Sequence, residues 1–158
     1  MESRIITNNE FFSLVEQELQ ENGHVRFRVK GTSMQPMLRN GRDEVLLKAR
    51  GNREPKVGDI CLFRFNGSHI LHRCIRIEGP VFYMRGDNIL HKEEHCEIDG
   101  VLGMVEKIYR DEVIYLPDDP MWKIRTRIHR RKLEVRFRLS QFKSRVGRVL
   151  RKIFGSRH

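Results

Sequence analysis

Apolar residues recur along this chain in two periods, and the change from one to the other outlines its architecture. Between Asn8 and Asn22, Phe11, Phe12, Val15 and Leu19 return at helical spacing, with Asn8 or Asn9 as N-cap and Gly23 as stop. That spacing predicts a short amphipathic helix packed on a sheet. From His24 the period drops to two: Val25, Phe27 and Val29 point one way and the charged residues between them the other. This first strand is predicted over 24–30. Others are predicted at 43–48, 60–65, 70–77, 81–85, 101–109 and 112–116, separated by turn formers such as Gly51-Asn52 and Asn66-Gly67. Seven short strands behind one helix imply a mainly β domain, either a barrel or a folded sheet. Pro117-Asp118-Asp119-Pro120 closes it.

Beyond that closure the period changes again. Leu133, Val135, Phe137 and Leu139 alternate, whereas Leu139, Phe142, Val146, Val149, Leu150 and Ile153 recur at three and four, so at least the last part is an amphipathic helix. The charge follows the same division. Residues 123–158 hold 14 of the 31 Lys and Arg and a single acid, Glu134, which leaves the rest of the chain net negative although the whole carries +10. The chain therefore divides into a β domain at 1–122 and a basic amphipathic tail at 123–158. The positive charge concerns the tail's partner and not the β domain. Lys and Arg flanking an apolar stripe suit an anionic membrane surface. Nucleic acid suits it less, because no aromatic stacking platform accompanies the charge. A helix simply packed on the body is the plain alternative.

The candidate chemistry begins where the first strand ends, at Gly31-Thr32-Ser33-Met34-Gln35-Pro36-Met37. Gly31 permits a backbone geometry closed to other residues and Pro36 blocks a regular helix, so Ser33 is held at a sharp strand exit with an accessible hydroxyl. A serine needs a base within hydrogen-bonding reach before it can attack an amide. His72 supplies a candidate, in the middle of the strand-like run Ile70-Leu71-His72-Arg73-Cys74-Ile75-Arg76-Ile77, and Met84-Arg85-Gly86-Asp87-Asn88 lies beyond it.

Together these three blocks resemble the superfamily of signal peptidase I and the SOS-repressor serine proteases, with its Ser-Met-x-Pro box, a base on a later strand and a Gly-Asp-Asn box. The resemblance runs from about Arg26 to Tyr109 and includes Gly41-Arg42-Asp43 and Val57-Gly58-Asp59-Ile60 as spacers. His72-Arg73 is similar to the histidine-base branch of the endoplasmic reticulum and archaea, and not to the lysine-base branch. The resemblance implies a coiled β-sheet barrel and a serine endopeptidase in which Ser33 is the nucleophile and His72 the general base. Asp87 or Glu93 would be the supporting acid, while Gly31, Met34, Pro36 and Arg73 would shape the cleft. With Gly31 two places before the serine, the oxyanion would rest on backbone amides, chiefly that of Ser33. The implied substrate is an extended peptide cut after a small residue, such as a leader or propeptide. Self-cleavage of the repressor kind is disfavoured, since no Ala-Gly pair occurs in the sequence.

Plainer functions compete with this. Ser33 can be turn chemistry, His72 a satisfied strand histidine and Asp87 a turn acid. The fold can serve as a peptide-binding module without catalysis, and the basic tail as part of a DNA-binding regulator. Zinc is disfavoured: His91 and His95 are four apart with Cys96 adjacent, but there is no Cys-x-x-Cys pair. No cofactor is called for. Three cysteines, two of them in apolar strand runs, together with the lack of any apolar run near 18 residues or a leader-like N-terminus, lead to the expectation of a cytoplasmic protein, peripheral to the membrane if the tail binds one.

Overall fold

The computed structural model describes residues 8–154. Its elements are helix α1 (Asn8–Asn22), strands β1 (His24–Arg28), β2 (Glu44–Ala49), β3 (Ile60–Phe65), β4 (Ser68–Glu78), β5 (Val81–Arg85), β6 (Glu94–Glu97), β7 (Val101–Arg110) and β8 (Val113–Tyr115), and helix α2 (Pro120–Phe154). All the strands belong to one antiparallel sheet in the order β1-β2-β7-β3-β4-β5-β6, with β8 paired to the far end of β7. The path is open. The folded sheet, and not a closed barrel, is the form taken, and β6 with the single turn after it comes back against β3.

β3 explains why the sheet folds. Ile60 and Leu62 face a core built with α1, β1, β2 and β7, while Cys61 and Phe63 face a second core with Cys74, Phe82, Met84 and Cys96. A strand covered on both faces reads as an unbroken apolar run, and Ile60-Cys61-Leu62-Phe63 is one. Helix α1 closes the first core with Val15 and Leu19, and Phe11 meets Phe27 edge-on at 5.5 Å. Between β3 and β4, Asn66 and Gly67 both take positive φ, the geometry of a two-residue hairpin turn whose twist matches its strands.

Two elements depart from the sequence pattern. β6 is a strand that the pattern does not predict. Its inward positions are Glu94 and Cys96, so a buried acid stands where the alternation should show an apolar residue. α2 begins at Pro120 and runs straight through the alternating stretch from Leu133 to Leu139. Its first turn is fixed in the main core by Trp122, which meets Tyr115 edge-on at 5.5 Å and lies beneath the Arg110 guanidinium.

Asp43 holds the serine-bearing loop to the sheet. It is fully buried and accepts from Arg39 and Arg110, while Arg110 also donates to the Met37 carbonyl at 2.9 Å. Burial alone pushes the Asp43 carboxyl up. Hydrogen bonds from Arg110 and from the backbone and side chain of Arg39 outweigh it and hold the group below its ordinary 3.8. Replacing Asp43 by Ala leaves Arg110 facing an empty buried site and is expected to cost about 3–5 kcal/mol of unfolding free energy. A carboxyl depressed on folding stabilises above its unfolded value, and the contribution is lost as pH falls through the folded one. Urea unfolding between pH 7 and pH 3 should therefore show a smaller acid loss in Asp43→Ala than in the wild type. A variant as stable as the wild type at pH 7 would refute this role.

Candidate active site

The Gly31–Met37 segment leaves β1 as a compact turn. Gly31 has φ 98, and its amide donates to Asn40 Oδ1 at 2.9 Å. The amide of Gln35 donates to the Thr32 carbonyl and that of Leu38 to the Met34 carbonyl, and the Gln35–Pro36 peptide is cis. Met34, Met37 and Leu38 are buried in the main core. Apolar anchoring on one side leaves Ser33 half-buried at the surface of the turn.

His72 lies on β4 in register with Cys61 of β3, at the margin of the second core and 6 % exposed. Its Nδ1 is 3.0 Å from Oε2 of Glu94, which is itself 2 % exposed. A carboxylate only accepts, so Nδ1 carries the proton and donates, and Nε2 keeps a free lone pair. Lys92 stands 3.3 Å from the other Glu94 oxygen. Desolvation lowers the His72 value below its ordinary 6.5. The hydrogen bond and charge of Glu94, with that of Asp87, oppose the shift without cancelling it. The ring is therefore a neutral imidazole at pH 7.

The Gly86-Asp87-Asn88 turn joins these parts. A carbon added to Gly86 would stand 2.5 Å from the Ser33 carbonyl oxygen and 3.0 Å from His72 Nε2, so serine turn and imidazole both lie against this glycine. Asn88 fastens the turn: its amide donates to the Ser33 carbonyl at 2.8 Å and its side chain to the Thr32 carbonyl at 3.2 Å. Its Oδ1 accepts from His129 Nε2 of α2 at 2.9 Å.

The two acids expected beside His72 are engaged elsewhere. Asp87 accepts two hydrogen bonds from Arg73, at 2.8 and 2.7 Å, and Arg73 continues to the Gly58 carbonyl. Glu93 faces Arg76 and Arg85. The inward alternation of β6 turns Glu94, and not its neighbour, toward the imidazole. Sequence reasoning misses this residue because it misses β6 itself. No apolar alternation marks that strand, because Glu94 takes the inward position ahead of Cys96.

Cys61, Cys74 and Cys96 are free and buried, and desolvation raises all three thiols, Cys96 to about 11, so none is a ready thiolate. His91 packs on Phe137, whereas His95 lies against Phe65 and Tyr83. Among the described residues no group of three or more His, Cys, Asp or Glu is placed to hold a metal ion.

A turn-borne serine and a strand-borne histidine thus both lie against one glycine on an open antiparallel sheet. The chain belongs to the Peptidase S24-like family, whose model matches residues 2–108, a span that takes in the sheet from β1 through nearly all of β7. No curated protein matches it.

Proposed function

We propose that the protein is a serine endopeptidase with Ser33 as nucleophile, His72 as general base and Glu94 as the group that orients the base. The observation that carries this is the buried Nδ1 contact to Glu94, which leaves Nε2 as the basic atom on the side of Gly86 and the Ser33 turn. In the reaction Ser33 Oγ gives its proton to His72 Nε2 and attacks the peptide carbonyl. Glu94 stabilises the imidazolium. The backbone amide of Ser33 donates to the oxyanion, His72 returns the proton to the leaving amine, and water then hydrolyses the acyl-enzyme by the same steps. Asp87 and Arg73 act as a structural clamp on the Gly86–Asn88 turn. The substrate is an extended peptide with a small residue before the cut, of the leader or propeptide kind.

A fluorophosphonate probe tests this without a known substrate. Intact-mass and peptide analysis should find one adduct, on Ser33, absent from His72→Ala. Because burial lowers His72, labelling should rise with pH along a limb lying below 6.5. Folded protein whose Ser33 stays unlabelled across that range would be a peptide-binding module and not an enzyme.

A further inference from the structure

α2 has two apolar faces, and the body uses only one of them. At roughly 100° per residue, Trp122, Thr126, His129 and Leu133 fall on a single side, and all four are buried or half-buried. That side packs on the body through Trp122 against Tyr115 and His129 against Asn88. On the opposite side Ile124, Ile128, Val135, Leu139, Phe142 and Val146 form a second stripe, and every one is exposed, Phe142 at 65 %. Large apolar residues aligned over this length on an uncovered face mark a binding surface.

The charges identify the occupant. Arg125, Lys132, Arg136 and Lys143 run along one edge of the exposed stripe, and Arg127, Arg131, Arg138 and Arg145 along the other, all of them exposed. Arg131, Lys132 and Arg136 also border a shallow open depression with Ile128 and Val135. A second copy of the helix would bring these cationic rows against their equals. Nucleic acid would take the cations but leave the apolar stripe in water. An anionic bilayer takes both, with acyl chains under the stripe and headgroups along the edges. Among the described residues no helix is long and apolar enough to cross a membrane, so α2 lies along the surface.

We infer that the outer face of α2 is a docking surface for an anionic lipid bilayer, with the body carried on the helix's inner face. Asn88 bonds both α2 and the serine turn, so the cleft then sits within about one helix diameter, ~10–12 Å, of the bilayer. Resting on the peptidase reading, this makes the substrate a polypeptide held at the lipid surface.

The experiment is co-sedimentation of the full chain with phosphatidylglycerol-containing vesicles and with phosphatidylcholine vesicles. The protein should bind the former, more weakly as salt rises, and ignore the latter. The double variant Ile128→Glu, Phe142→Glu should lose about tenfold or more in affinity while keeping its circular dichroism, since both side chains are exposed. Ser33→Ala should bind as the wild type does, so the lipid result stands apart from the probe result. The inference fails if the full chain ignores anionic vesicles at low salt. It fails too if the folded double variant binds them unchanged, or if that variant instead loses a dimer seen by analytical ultracentrifugation or binding to duplex DNA.

Discussion

Replacing Ser33 by Ala is expected to lower kcat about a millionfold on any peptide that the wild type cleaves, and His72→Ala to do nearly the same. The two losses should not add, because without the base the hydroxyl is not a nucleophile, and without the hydroxyl the base has nothing to activate. The double variant should match either single one. Ser33→Ala should change stability little, since Ser33 is only half-buried, whereas His72→Ala takes the imidazole from the buried Glu94 carboxylate and should lower it. Steady-state rates on purified variants with matched thermal unfolding give the comparison. Cleavage by Ser33→Ala at the wild-type rate would end the serine-peptidase reading.

The second large effect separates three neighbouring acids. Glu94→Gln keeps the size of the side chain and a hydrogen bond to Nδ1 but removes the charge. Its amide can donate to Nδ1, which moves the ring proton to Nε2 and leaves no lone pair for Ser33. A loss of about 10⁴-fold in kcat is expected, against less than about tenfold for Glu93→Gln, whose carboxylate meets Arg76 and Arg85. Asp87→Asn should act mainly on stability, because it strips the charge from a pair in which both side chains are largely buried. The discriminating measurement is kcat across pH for the three variants. Equal activity in Glu94→Gln and the wild type, or a collapse in Glu93→Gln alone, would overturn the assignment.

The elements are legible where burial follows hydropathy. α1 occupies the span its Phe, Val and Leu spacing marks, and β3 is the run whose two faces are both covered. Ser33 at a turn and His72 within a strand can likewise be read from their neighbours. What cannot be read depends on a residue set against its type. Glu94 is an acid at an inward strand position, so pattern alone hides both the strand and the orienting contact. Natural chains break local rules of this kind mainly at working sites. Nor can spacing divide Asp87, Glu93 and Glu94 among Arg73, Arg85 and His72, because Asp87 and Glu93 lie in the connection between β5 and β6 and only Glu94 has a strand face to direct it. In α2 the alternation of Leu133 to Leu139 resembles a strand because the helix carries apolar residues on two sides.

Gly86 carries a consequence of another kind. A single methyl at this residue would act as a wedge, 2.5 Å from the Ser33 carbonyl oxygen, 2.9 Å from the Ile89 side chain and 3.0 Å from His72 Nε2. The close approach of the serine turn and the imidazole-bearing strand thus depends on a position that contributes no side-chain atoms.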